Sequence, residues 1–174
     1  MATASTSTTT PTSPPTNPLL HLEPQTLYLL LSRQKVSLKW HWSLYIHVSL
    51  ASGGYTQHIT RAESLWILDA RRTPDASYNA DIVCALALTW VEAELEDALK
   101  ERVRQVPLED TERWGGLTCW TWVLRVLEEL DAEGWISVRV ESTVEDVEAE
   151  AKDGAAAAAE GEGDRVLRSK HVIL

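Results

Sequence analysis

Polar and apolar residues alternate most regularly between Lys39 and Leu50. Trp40, Trp42, Leu44, Ile46 and Val48 fall on one side of an extended chain and His41, Ser43, Tyr45 and His47 on the other, the period-two pattern of a strand with unlike faces. Gly53-Gly54 then supplies a turn signal and Tyr55 to Arg61 returns, which predicts a hairpin. Ahead of it, Gln25 to Arg33 holds the continuous apolar run of Leu27, Leu29, Leu30 and Leu31, the signature of a strand buried on both faces. Ser64 to Ala70 reads as a further short strand, followed by a loop from Arg71 to Ala80.

Ile82 to Trp90 fits either a buried strand or the opening of a helix, because a short apolar run carries no periodicity that separates the two. From Val91 to Val106 the spacing of Val91, Leu95, Ala98, Leu99 and Val103 is helical, and Pro107 stops it. A second amphipathic helix is predicted over Cys119 to Leu130, with Val123, Val126, Leu127 and Leu130 on one stripe and Gly134 as its C-terminal cap. Trp135 to Val140 alternates as a last strand. The expected fold is one α+β domain over residues 19–144, with an antiparallel sheet of five or six strands and two main helices. Residues 1–18, almost entirely Ser, Thr, Pro and Ala, are expected to be disordered, 145–164 to be a flexible acidic Ala/Gly/Glu segment, and 165–174 an extension or short strand.

Charge sharpens this division. The 174-residue chain carries a net −10, but nine acids against Lys152 alone lie between Glu141 and Asp164, so the rest is close to neutral. With no basic stripe to neutralise phosphates, nucleic acid is not an expected partner. A protein partner recognised through the acidic segment is the alternative that the charge distribution raises. No apolar run is long enough to span a membrane, and the opening residues lack the basic and apolar blocks of a secretory leader. Two cysteines, Cys84 and Cys119, give neither a disulfide framework nor a CxxC pair, so a reducing compartment, cytoplasmic or nuclear, is expected. Eight Trp and no Phe complete an unusual composition, and the Trp residues read as core and pocket wall.

The candidate chemistry centres on Cys119. A cysteine at the start of a helix meets unpaired backbone N–H groups that stabilise a thiolate and can also hold an oxyanion. A thiolate nucleophile needs a base, and the hairpin offers His41 and His58 across the turn from each other. The same cysteine also suits a small packing residue, and histidines on strands are commonly structural. Cys84, inside its apolar run, is core. No ligand spacing supports a metal site at His41, His58 and Cys119, and no cofactor motif is present.

The block His41-Trp42-Ser43-Leu44-Tyr45-Ile46, the hairpin with His58, then Cys119-Trp120-Thr121-Trp122-Val123 and Gly134-Trp135-Ile136 resembles a family of small fungal proteins. Its members carry a His-Trp-aliphatic strand, a Trp-Asn-Cys-Gln-Asp-Trp-Val helix start and a Leu-Glu-acid-Gly-Leu-Ile helix exit. The likeness spans Leu27 to Val140. Around the cysteine this chain departs from it, with Thr118, Trp120 and Thr121 in place of Asn, Gln and Asp. That family in turn resembles the circularly permuted papain-like hydrolases, among them lecithin:retinol acyltransferase and its relatives. The resemblance implies a permuted papain-like fold, with Cys119 as nucleophile, His41 as general base and His58 orienting it. The implied activity is hydrolysis or transfer at an amide, ester or thioester of a small-molecule or acyl substrate, through an acyl-enzyme. The alternative is a catalytically inactive binding or accessory protein of the same fold.

Overall fold

The computed structural model describes residues 19–34, 39–74 and 76–173, so the expected disorder of 1–18 lies outside the described residues. Six strands form one sheet: β1 (Thr26–Arg33), β2 (Trp40–Ser49), β3 (Gly53–Ala62), β4 (Leu65–Thr73), β5 (Ile82–Trp90) and β6 (Val166–Arg168). Their spatial order is β4-β3-β2-β1-β5-β6, antiparallel throughout except for the parallel β5–β6 edge. Three helices, rather than the two expected, complete an α+β fold: α1 (Glu96–Arg104), α2 (Cys119–Ala132) and α3 (Val144–Glu160).

β1 lies inside the sheet between β2 and β5, which explains its unbroken apolar run. Leu27, Leu29 and Leu31 point to one face and join Trp42, Leu44, Ile46, Ile59, Leu86 and Leu88 in the main core, with the buried faces of all three helices. Tyr28 and Leu30 point to the other face, where Tyr45, Ile82, Ala85 and Leu20 make a smaller cluster. That second face is covered only in part. The Leu19 and Leu20 backbone N–H groups donate to the Ser77 carbonyl at 2.9 and 3.0 Å and clamp a short cover over Tyr28, leaving the His41 end of β2 open. Ile82–Trp90 resolves as a strand because its neighbours β1 and β6 take up its backbone groups on both sides.

Several expectations need correcting. The turn lies over Leu50, Ala51 and Ser52, while Gly53 and Gly54 already belong to β3. Gly54 is there because a Cβ would strike the Ile46 carbonyl and the Tyr45 ring. The first helix is shorter than the stretch from Val91 to Val106: a 3-10 turn at Ala93–Leu95 leads into α1. Trp135 to Val140 makes no strand; only Val138 bridges Val172, since no neighbouring strand offers it a ladder.

The largest correction concerns the expected flexible acidic segment at 145–164. It is helix α3, opened by a capping box between Thr143 and Asp146 and closed by Gly161 at φ +81°. Val144, Val147, Ala151 and Ala155, spaced three or four apart, bury against the main core. Its acids are partly engaged: Glu145 pairs with Arg113 at 2.9 Å, and Glu150 accepts from Ser169 Oγ at 2.7 Å. A disordered acidic tail free to capture a partner is therefore absent from this region. Among the described residues, no helix is long and apolar enough to cross a membrane.

Candidate functional site

The β2–β3 register sets the two imidazoles side by side. Leu44 pairs with Gln57, and beyond that pair the described β2–β3 ladder stops, so the first residues of β2 pair with β1 alone. His41 and His58 meet at this parted end. His41 Nε2 lies 2.8 Å from His58 Nδ1, with the rings edge-on at 86° and centroids 4.6 Å apart. The chain continues into β4, where Asp69 faces His58 across the ladder and its Oδ2 lies 3.3 Å from His58 Nε2. Arg71 holds the same carboxylate oxygen at 3.1 Å.

Asp69 was not singled out from sequence, although a signal existed. Glu63-Ser64 is a two-residue turn between Ala62 and Leu65, and counting outward from it pairs His58 with Asp69.

This row of groups selects tautomers. Asp69 accepts, so His58 carries its proton on Nε2 and offers Nδ1 as an acceptor. His41 then donates from Nε2, which leaves its Nδ1 as a free base. Burial lowers the His41 pKa to about 4, the neighbouring His58 acting in the same direction. Burial also lowers His58, and the Asp69 carboxylate opposes it. Both rings are neutral at pH 7. They line a cavity of about 490 Å³ together with Ser32, Ser43, Arg33 and Arg71, on the sheet face away from the helices.

Cys119 arrives from the other side. Thr118 caps α2: its Oγ1 accepts the Thr121 N–H at 3.1 Å, and its own N–H donates to Thr121 Oγ1 at 2.8 Å. The two threonines thus form a reciprocal capping box. This box fixes Cys119 as the first residue of the helix. Burial pushes its thiol pKa up, opposed by backbone N–H groups of Trp42, Trp120 and Cys119 itself. Cys119 packs, partly buried, against the main core that holds the Trp42 side chain.

Strand alternation sends the Trp42 side chain into the main core under α2 and His41 to the opposite face. Sulfur and imidazole thus approach the parted end of β2 from its two sides. Among the described residues no hydrogen bond joins Cys119 to either ring. The structure brings His41 and His58 into contact and sets Cys119 against the main core. Cys84 is core as expected, its thiol pushed by burial up to about 12. Among the described residues no group of His, Cys, Asp and Glu is arranged to hold a metal ion.

Comparison with known proteins gives one family. The profile described as "Family of unknown function (DUF6540)" matches residues 27–137, from β1 to just beyond α2. No significant match is found among curated proteins or among solved structures.

Proposed function

Since the chain belongs to the family of unknown function DUF6540, its chemistry has to come from its own side chains, and we propose that it is a cysteine-dependent hydrolase or acyltransferase. Cys119 is the nucleophile, His41 the general base, and His58 the residue that orients it. The order of these residues, two histidines on successive strands and then a cysteine opening a helix, resembles that of the permuted papain-like enzymes. The observation that carries the reading is the run Asp69–His58–His41, which leaves His41 Nδ1 as the proton acceptor at the end of β2 whose next residue, Trp42, packs in the same core as Cys119.

The reaction follows from these groups. Cys119 gives its proton to His41 Nδ1 as its sulfur attacks the carbonyl carbon of an ester, amide or thioester. The tetrahedral oxyanion faces the N–H groups of Cys119, Trp120 and Trp42. Collapse breaks the bond to the leaving group, which takes the proton from His41, and an S-acyl enzyme remains. Water or an acceptor alcohol or amine then attacks the thioester, losing its proton to His41, which returns it to the sulfur. A neutral thiol and a neutral imidazole begin the cycle, because burial raises the one pKa and lowers the other.

A second reading, a non-catalytic binding protein of the same fold, is favoured by the raised thiol pKa and the missing Cys119–imidazole bond. One experiment separates the two. With p-nitrophenyl acetate, the enzyme reading expects Cys119→Ala to abolish turnover while its melting temperature stays within about 4 °C of the parent, roughly 1–2 kcal/mol for a domain of this size. Undiminished hydrolysis by the folded variant refutes the nucleophile. If Cys119→Ala unfolds, Cys119→Ser, which keeps the volume, must still lose activity.

A further inference from the structure

The second large cavity adjoins the helix start on the core side of the sheet. It measures about 520 Å³ and is lined by Trp40, Trp42 and Trp120 together with Lys39, Lys152, Asp153 and Ala156. This volume is ordinary for a small-molecule site. One wall, Trp120, is the residue that follows Cys119 at the start of α2, and Cys119, Trp40 and Trp120 pack against the same core beside Trp42. The cavity therefore adjoins the start of α2 on the core side of the sheet, whereas His41 and the polar cavity lie on the opposite face.

Three indoles close together present flat, polarisable faces rather than the flexible walls that aliphatic side chains provide. Lys152 lies with its ammonium 4.6 Å from the centre of the Trp120 ring, on an exposed side chain that an aromatic group stacking there would displace. Lys152 and Ala156 come from exposed positions of α3, the helix absent from the sequence expectation. This region lies beyond residues 27–137, so part of the cavity is supplied by chain outside the family match.

We propose that this tryptophan cavity is the acyl-binding site and that it selects planar, apolar acyl groups such as aroyl groups. The inference rests on the hydrolase or acyltransferase reading for the identity of the occupant. Its test separates the two. The probe is 2-naphthoate, the acid released from a naphthoyl ester, titrated calorimetrically into the full chain beside acetate and cyclohexanecarboxylate. The cavity should bind naphthoate at least about tenfold more tightly than either, equivalent to ~1.4 kcal/mol. Trp40→Ala, at a half-buried strand end, should lose that preference, and Trp90→Ala, 58% exposed on β5, should keep it.

Equal binding of the three acids, or a preference that survives Trp40→Ala in a folded protein, overturns the site. If Trp40→Ala does not fold, Ala156→Trp, at an exposed position lining the cavity, should block naphthoate binding. Naphthoate binding without turnover of any ester upholds the cavity and removes the enzyme. Turnover of acetyl esters with no naphthoate preference does the reverse.

Discussion

Asp69 determines which nitrogen of His41 is basic, although it touches only His58. Its carboxylate accepts from His58 Nε2 and is itself steadied by Arg71. Replacing it by Asn offers an amide N–H in place of an acceptor oxygen, which turns His58 over and withdraws the free pair from His41 Nδ1. Asp69→Asn should lower kcat/KM by about 10- to 100-fold, the usual cost of losing an outer partner of a functional imidazole. A structural role alone would not move the titration of His58. Since the Asp69 charge raises the His58 pKa, its loss should move the titration of the His58 ring, followed by NMR, to lower pH. An unchanged rate and titration would show that Asp69 does not orient the pair.

Among the elements, α3 shows most clearly what burial adds to composition. Its Ala155 to Ala159 run and Glu/Gly flanks look like low complexity, yet alanine has the highest helix propensity, and Val144, Val147, Ala151 and Ala155 already mark one face. The missing information was the sheet beneath it: a weakly apolar stripe becomes a helix face only when β5 and α2 are there to receive it. Ala151→Asp sets a carboxylate into the fully buried seam and should cost ~3 kcal/mol or more in urea denaturation. An unaltered midpoint would mean that α3 contributes nothing to the core. Where patterns were strong, they were sufficient. The alternation of β2 separates His41 from Trp42, and the stripe of Val123, Val126, Leu127 and Leu130 marks α2. Trp135 to Val140 failed because alternation states only which faces a strand would have, and this stretch meets residues 171–173 at a single bridge instead of joining the sheet.

Across the whole molecule, one sheet divides two environments. The helices cover one face with a continuous apolar core, and the other carries a small cluster and an open polar cavity around the imidazoles. The candidate chemistry sits where these meet, at the end of β2 that β3 leaves unpaired. The sequence made His41, His58 and Cys119 visible as chemical types in a plausible order. Hidden from it were the direct contact between the rings, the carboxylate behind them, and the arrival of sulfur and imidazole from opposite sides of one strand.

The proposed chemistry stands on transfer of the Cys119 proton to His41. The measurement is the rate of acylation of Cys119 by p-nitrophenyl acetate between pH 4 and 10, followed by intact mass and peptide mapping in the parent and in His41→Gln. The basic form of His41 is required, and its pKa lies near 4, below the ordinary imidazole range. The parent rate should therefore rise through about pH 4 and stay level to neutrality. His41→Gln should lose that plateau and react only as the thiol itself ionises, above its ordinary range because burial raises it. Coincident profiles, both rising only in alkali, would contradict the account and leave Cys119 a buried packing residue.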